Sequence, residues 1–305
     1  MIRFSLLRPK EVNLFFKKTT IQYKMKQQLE EIREQQKETW NKFSHGWKKW
    51  DDLTMEWLKP VGDEIIRLLR PKNDNIILDI AAGTGEPGLT IASMMNGGKV
   101  IITDLSEEML AIARENAERR GINNIETRVC DVCELPFSDN TFDAISCRFG
   151  FMFFPDMLLA AKEMVRVLKP GGRIATSVWN VPEKNYWATV TLGAINRNIE
   201  LPAPPQGSPG IFRCAMDGFI SDLFLQAGLK NISQHEIPGK LNSKTTDVYW
   251  NLMTEIAAPV VAGLSKADDA MKEKIRQEVY QALDQQYPDG NIMVDSSALV
   301  IYGEK

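Results

Sequence analysis

Short apolar runs alternate with amphipathic stretches through the middle of the chain. The apolar runs have the length of strands, whereas the stretches between them place apolar residues three and four positions apart, as helices do. The predicted strands are 75–81, 99–104, 125–131, 142–148 and 173–179. The predicted helices between them are 86–95, 106–120 and 155–168. This alternation predicts an α/β fold in which helices cover both faces of a parallel sheet.

The alternation ends after residue 179. Helical spacing continues over 186–198, 216–227, 245–261 and 267–286, and two further strands are predicted at 229–237 and 291–303. A long helical stretch between the last two strands indicates a cap added to the sheet. We therefore expect a main domain over 71–305, with helical cap insertions at about 182–227 and 244–286.

Two predicted helices, 27–50 and 51–69, precede the sheet, and we expect residues 25–70 to form a lid. Apolar and aromatic residues recur in the first helix at spacings of three and four. This stripe either docks on the core or carries the tryptophans at its end over a ligand site. The tryptophans concerned are Trp40, Trp47 and Trp50.

The first 24 residues are basic, with six Lys or Arg residues and one Glu. They lack the long apolar core and the small-residue cleavage site of a secretory signal. We expect a flexible tail in a cytoplasmic protein. A mitochondrial presequence and a functional start at Met25 are the alternatives.

The first predicted strand contains Asp79 near its end and leads into a turn of small residues, 81–85. A strand that enters a helix through a glycine-rich turn leaves backbone groups and a helix N-terminus facing a hollow. Glycine lets a ligand approach the main chain where a Cβ atom would collide. The combination predicts a site for a nucleotide-like ligand.

Two ligand classes fit this turn. Residues 83–88 satisfy GxGxxG, and Asp104 follows about 20 residues later, as a dinucleotide-binding fingerprint requires. That pattern predicts an NAD-dependent oxidoreductase. Asp79 at the strand end and Glu86 at the helix entrance oppose this interpretation, because carboxylates repel a pyrophosphate. Acidic surroundings favour a ligand that carries an amino group and a sulfonium charge.

Acidic residues end three successive predicted strands, namely Asp79, Asp104 and Asp131. Because the carboxyl ends of parallel strands share one edge of the sheet, we expect these side chains near one ligand. A carboxylate at the second strand end can accept hydrogen bonds from both hydroxyls of a ribose. Asp131 is placed to accept from an adenine amino group, and Leu105 and Met109 either sandwich the adenine or pack in the core.

Four segments carry a family resemblance: LDIAAGTG (78–85), TDLSEEML (103–110), CDVCELPFSDNTFD (130–143) and LKPGGR (168–173). Together they resemble successive motifs of class I S-adenosylmethionine (SAM)-dependent methyltransferases, particularly those of ubiquinone and menaquinone biosynthesis and related small-molecule enzymes. The resemblance covers residues 75–180, although Ala81 stands where the D-x-G-x-G-x-G motif has its first glycine. It implies a Rossmann-like, seven-stranded, mostly parallel sheet whose last strand is antiparallel, with SAM as the cofactor.

The resemblance also implies methyl transfer to a small molecule and a set of cofactor-binding residues. That set is Asp79, Ala81, Gly83, Gly85, Asp104, Leu105, Met109, Asp131, Val132 and Arg148. Within it, the turn residues are expected beside the methionine part, Asp104 at the ribose, and Asp131 with the Val132 backbone at the adenine. Arg148 and Phe149 are expected to line the methionine and transfer site.

Aromatic residues after the fourth and fifth strands indicate an apolar or aromatic acceptor, unless they only pack the cap onto the sheet. They are the phenylalanines within 149–154, Trp179, Tyr186 and Trp187. Methylation of an oxygen needs a base, for which His45 and Tyr186 are the candidates, and carbon methylation is the other possibility. A non-catalytic SAM-binding subunit is a further alternative.

Composition narrows the range of partners. A net charge of −3 over 305 residues carries no electrostatic footprint for nucleic acid. No apolar run approaches the ~20 residues that span a membrane. Cys130 and Cys133 resemble half of a zinc motif, but no second ligand pair follows them, so no metal is expected. The sequence leaves the oligomeric state open.

Overall fold

A seven-stranded sheet forms the centre of the protein in a computed structural model, which describes residues 9–203, 205 and 207–305, with side chains from residue 27 on. The strands are β1 (Ile76–Ile80), β2 (Lys99–Asp104), β3 (Ile125–Val129), β4 (Phe142–Arg148), β5 (Leu168–Trp179), β6 (Lys230–Lys244) and β7 (Ile292–Glu304). Their order is β3-β2-β1-β4-β5-β7-β6. The first five are mutually parallel, and β7 is antiparallel to both β5 and β6. The expected mostly parallel sheet with an antiparallel last strand is confirmed.

Helices cover the sheet and extend beyond it. They are α1 (Pro9–Lys49), α2 (Asp51–Leu69), α3 (Gly88–Ser93), α4 (Glu107–Arg119), α5 (Met157–Val167), α6 (Tyr186–Asn198), α7 (Phe219–Ala227), α8 (Thr246–Ile256), α9 (Ala258–Leu264) and α10 (Asp269–Gln286). In the described part of the chain, no helix is both long enough and apolar enough to cross a membrane.

Three predicted elements differ from the structure. The helix predicted to begin at residue 27 starts at Pro9, while residues 1–8 of the expected tail lie outside the described residues. The single helix predicted over 245–261 is two helices, because Pro259 lacks the N–H that would continue α8 and is accommodated in the first turn of α9. Strand β6 runs to Lys244 past Pro238, which a strand at the sheet edge tolerates.

The core lies on both faces of the parallel strands. Ile77, Leu78 and Ile145 expose none of their surface, as expected where helices cover each side of a parallel sheet. Helix α2 packs against β4, β5, β6 and β7 with Trp57 and Ile65 in its buried stripe. Trp57 and Leu58 of α2 line the cavity described below.

Helix α1 lies beside those strand ends and is held along its C-terminal half. A Cβ atom on Gly46 would lie 2.4 Å from the backbone oxygen of Glu255, so α1 and the end of α8 touch through this glycine. The Glu255 carboxylate also accepts a 2.8 Å hydrogen bond from Trp50 Nε1. Further along, Ser106 Oγ, which caps α4, donates a 2.6 Å hydrogen bond to Asn41 Oδ1.

We expect Gly46→Ala to destabilise the protein by about 1–3 kcal/mol, because the new methyl group overpacks the contact between α1 and α8. Gly193→Ala in α6 is the matched control, since its Cβ atom would meet only the end of the Arg197 side chain at 3.3 Å. The control should gain about 0.5–1 kcal/mol from helix propensity. Urea unfolding of both variants measures the difference, and a Gly46→Ala protein as stable as the control would contradict the contact.

Candidate functional site

Asp79 on β1 anchors the turn that follows its strand. Its two carboxylate oxygens accept hydrogen bonds from Ser146 Oγ on β4 at 2.7 Å and from the Gly88 N–H at the start of α3 at 2.9 Å. A Cβ atom on Gly88 would lie 2.6 Å from Asp79 Oδ2, so this close approach requires glycine. Asp79 thereby ties two strands to the first helix after the turn.

The backbone of the turn is left-handed at Ala81 (φ 52°) and Gly83 (φ 56°). Ala81 therefore adopts the conformation for which the family motif uses glycine, at a cost that the surrounding contacts must offset. No heavy atom lies within 4 Å of the position that a Cβ on Gly83 would take. The main chain at Gly83 is thus open to a ligand.

Asp79 and Gly85, both predicted to bind the cofactor, do not line the cavity beside this turn. Asp79 is fully buried, and burial raises the pKa of its carboxyl to about 7. A Cβ atom on Gly85 would lie 2.7 Å from Leu89 Cδ1, so its missing side chain makes room for α3. Both residues support the turn from behind the cavity wall, and their contact with a cofactor stays a prediction.

Asp104, at the end of β2, does line the cavity. Its oxygens accept 2.9 Å hydrogen bonds from the backbone N–H groups of Gly83 and Ser106. Burial raises the pKa of Asp104. Each carboxylate oxygen can accept more than one hydrogen bond, so both remain able to receive a ligand hydroxyl. Leu105 and Met109 line the same part of the cavity.

Asp131, after β3, lines the cavity together with Val132 and Cys130. Its Oδ1 accepts a 2.9 Å hydrogen bond from the Cys133 N–H, and its Oδ2 lies 2.5 Å from Arg33 Nε of α1. Burial raises the pKa of the Cys130 thiol to about 11 and that of Cys133 to about 12. Within the described part of the chain, no group of three metal-ligating side chains is found.

Helix α1 contributes four lining residues, Arg33, Gln36, Trp40 and Trp47. Of these four, only the tryptophans were expected over a ligand site; Arg33 and Gln36 were not predicted. The signal was present in the spacing, because positions 33, 36, 40 and 47 fall on one helix face. Trp40 packs edge-on against Phe153, with 5.0 Å between ring centroids. Trp50 binds Glu255 and does not line the cavity.

Arg148 and Phe149, at the end of β4, both line the cavity. Burial lowers the pKa of the Arg148 guanidinium, while the nearby carboxylates of Glu86 and Asp79 act in the opposite direction. Phe149 has a left-handed backbone (φ 60°) and stacks on Trp179 with 4.3 Å between ring centroids. Glu86 also lines the cavity and is paired with Arg120.

The cavity continues from Phe149 into an aromatic cluster that consists of Phe149, Trp57, Trp179 and Trp187. Trp179 lies 5.4 Å from Trp57 and 4.7 Å from Trp187, centroid to centroid. Two of the three indole N–H groups are bonded away from the cavity: Trp57 donates to Ser296 Oγ and Trp187 to Asn185 Oδ1, both at 2.9 Å. The aliphatic lining around the cluster is Leu58, Leu192, Ile211, Met253, Ile256 and Val260. The cavity volume is about 200 Å³.

His45 and Tyr186, the two base candidates, are not brought to the cavity. His45 is exposed because it lies two residues before Trp47, on the opposite side of α1. Tyr186 is half-buried one residue before Trp187, and burial raises the pKa of its phenol. The structure thus gives no support to either residue as a base, and that role stays a prediction. Glu86, Asp104, Asp131 and Cys130 are the titratable groups on the lining besides the arginines.

Comparison with known proteins agrees with this geometry. Residues 77–172 match the family model described as a methyltransferase domain. Demethylmenaquinone methyltransferase of Listeria welshimeri is 36% identical over 134 residues, which are 43% of this chain and 55% of the relative. The ubiquinone/menaquinone biosynthesis C-methyltransferase of Cellvibrio japonicus is 43% identical over 108 residues, 35% of this chain and 43% of the relative. The chain thus spans about half the length of the curated relatives it matches.

Two solved structures share the fold. The YcgJ protein of Bacillus subtilis has 21% identity and a TM-score of 0.52, covering 80% of this chain and 97% of its own. A putative methyltransferase of Bacillus halodurans has 19% identity and a TM-score of 0.53, covering 80% and 98%. Residues 77–172 thus match a methyltransferase domain on a fold shared with these structures. The chain is similar there to methyltransferases of menaquinone biosynthesis, which confirms the resemblance read from the sequence.

We expect Asp79→Asn to remove a pH dependence of stability. The folded-state pKa of Asp79, about 7, is above the ordinary value of 3.8, so the folded protein holds a proton that the unfolded chain releases. Wild-type stability should therefore decrease as the pH rises between about 4 and 7, relative to the variant, and the difference should level off above that window. Urea unfolding across this pH range tests the prediction, and parallel stability curves would refute it.

Proposed function

We propose that this protein transfers a methyl group from SAM to a small, apolar, aromatic acceptor. The observation that carries the proposal is one continuous cavity along the strand ends. Asp104 and Asp131 lie on its β2 and β3 side, whereas Phe149 and Trp179 lie on its β4 and β5 side. A polar region suited to an adenosyl group therefore adjoins an aromatic region suited to an acceptor.

The residues present fit SAM. The buried Asp104 carboxylate offers acceptors for two ribose hydroxyls, and Asp131 offers one for an adenine amino group. Leu105, Met109 and Val132 supply apolar surface for the base. Glu86, which is nearly buried on the cavity wall, would face the pyrophosphate of NAD and so disfavours the oxidoreductase alternative.

Arg148 is suited to the carboxylate of the methionine part. No ion pair formed among the described residues uses its guanidinium, and carboxylate binding there would compensate for its burial. Glu86 lies on the same lining and suits the methionine amino group. When bound, SAM supplies an electrophilic methyl group on its sulfonium. The protein must then align the acceptor with this methyl group and exclude water. Phe149 and Trp179, which stack on each other next to Arg148, serve both purposes.

The acceptor region favours an apolar ring compound. The indole N–H groups of Trp57 and Trp187 are already bonded to side chains outside the lining, and the region presents mainly ring faces and aliphatic side chains. The similar proteins are named for the methylation of demethylmenaquinone and for ubiquinone/menaquinone biosynthesis, which supports a quinone-related acceptor. Neither histidine nor tyrosine lines the described cavity. The acceptor atom is therefore a carbon, or an oxygen that loses its proton without a histidine or tyrosine base.

We also propose the location, the partners and the domain division that the sequence led us to expect. A cytoplasmic location is supported by four free cysteines, which suit a reducing compartment. The absence of a nucleic-acid partner is supported by the net charge of −3. The division into an N-terminal tail, a lid and a capped domain stays a prediction, supported by the α1 residues on the cavity wall.

Incubation with methyl-labelled SAM and an extract of apolar metabolites tests the proposed reaction. We expect label in a neutral aromatic product. SAM binding without label transfer to any product would support the non-catalytic subunit, and binding of NAD in place of SAM would support the oxidoreductase.

We expect Asp104→Ala to weaken SAM binding at least about 100-fold, because two hydrogen bonds to a charged acceptor are worth about 1.5–3 kcal/mol each. Glu108→Ala, on the exposed first turn of α4, is the control and should leave the affinity unchanged. Calorimetric titration with SAM measures both variants. Equal affinities would show that Asp104 does not hold the ribose.

We expect Trp179→Leu to reduce label transfer at least about 10-fold while SAM affinity changes less than about 3-fold, because the ring stacks in the acceptor region. Trp250→Leu on α8, outside the cavity lining, is the control. Equal losses of SAM affinity and transfer in Trp179→Leu would contradict the division of the cavity into two regions.

A further inference from the structure

Helix α1 closes the cavity from outside the segment that matches the methyltransferase family model. Residues 33, 36, 40 and 47 line the cavity, whereas the matched segment begins at residue 77. The wall that α1 supplies therefore lies in the N-terminal region, before the matched segment, and Arg33 is the charged residue on it.

Arg33 meets the carboxylate that the proposed function assigns to the adenine. Arg33 Nε lies 2.5 Å from Asp131 Oδ2, and its Nη1 donates a 2.7 Å hydrogen bond to Glu30 Oε2 on the preceding turn. Asp131 Oδ1 is held by the Cys133 N–H at 2.9 Å. One carboxylate oxygen is thus held by a hydrogen bond, and the other lies against the Arg33 charge in an ion pair. Both side chains are largely buried, with 28% of Arg33 and 14% of Asp131 exposed, so solvent screening of the pair is reduced.

We propose that Arg33 is a positioning residue for recognition of the adenine amino group. It fixes the plane of the Asp131 carboxylate and offsets its charge, so that the lone pairs left on the carboxylate face the cavity. A fixed acceptor binds a 6-amino group more tightly than a 6-oxo group, because the 6-oxo group would place one oxygen against another. The proposal rests on the proposed use of SAM.

The attachment of α1 does not depend on Arg33 alone. Ser106 Oγ bonds Asn41 at 2.6 Å, Gly46 touches the backbone of Glu255, and Lys48 Nζ pairs with Glu115 at 2.5 Å. Removing the Arg33 charge therefore leaves the helix held at three later points. A role of Arg33 in cofactor recognition can therefore be distinguished from a role in docking α1.

The test compares S-adenosylhomocysteine with S-inosylhomocysteine, its 6-oxo analogue, by calorimetric titration of the full chain. We expect the wild-type protein to bind the 6-amino compound at least about 10-fold more tightly, since one lost charged hydrogen bond is worth that factor or more. Arg33→Gln should reduce this ratio to about 3-fold or less. Arg33→Lys, which keeps the charge but not the planar fork, should give an intermediate ratio.

Lys48→Gln is the matched control, because it removes another α1 ion pair of the same length whose side chains are exposed and outside the cavity. Its ratio should equal that of the wild type. An unchanged ratio in Arg33→Gln, or an equal fall in Lys48→Gln, would overturn the role of Arg33. If Arg33→Gln does not fold, a wild-type ratio in Arg33→Lys overturns the proposal. A wild-type protein that binds neither compound would instead refute the use of SAM itself.

Discussion

The structure of the site depends on the buried carboxylate of Asp79. A carboxylate removed from water must be hydrogen-bonded, and this one is bonded to Ser146 on β4 and to the first N–H of α3. Two strands and one helix are thereby held in a single arrangement. The left-handed backbone of Ala81 and Phe149 persists because such contacts over-determine it. Replacement of the first motif glycine by Ala81 is accommodated in this rigid setting.

The order of the strands explains why the cavity has a polar end and an apolar end. β3 and β2 lie on one side of β1, and β4 and β5 lie on the other. The acids that follow β2 and β3 therefore gather at one end, while Phe149 and Trp179, which follow or end β4 and β5, gather at the other. The crossover connections of one parallel sheet thus place a polar part and an apolar part in the same cavity, within a single sheet.

The helices outside the matched segment determine how the cavity is enclosed. α1 places Arg33 and Trp40 on one wall, and α6, α8 and α9 place aliphatic side chains on another. The curated relatives match this chain only over part of its length. The segment that matches the family model places Asp104, Asp131 and Arg148 on the cavity wall, and the helices outside it supply further lining residues.

The sequence by itself determined the α/β alternation, the acids at the strand ends and the resemblance to a methyltransferase domain. These features are local: a strand-length apolar run, a small-residue turn and an acid next to it are read from neighbouring positions. Their placement at one edge then follows from the parallel sheet. For this reason one cavity is lined by Asp104, Leu105, Met109, Asp131, Val132 and Arg148, whose contact with the cofactor stays a prediction.

Only the tertiary structure decided which side chains face the cavity and which support it. Asp79 turns inward to Ser146, a partner distant in sequence, and His45 turns outward because helix rotation points Trp47 the other way. Arg33 reaches Asp131 only because α1 folds across the strand ends. Side-chain direction and long-range pairing depend on how whole elements pack, and a linear pattern of residue types does not contain that information.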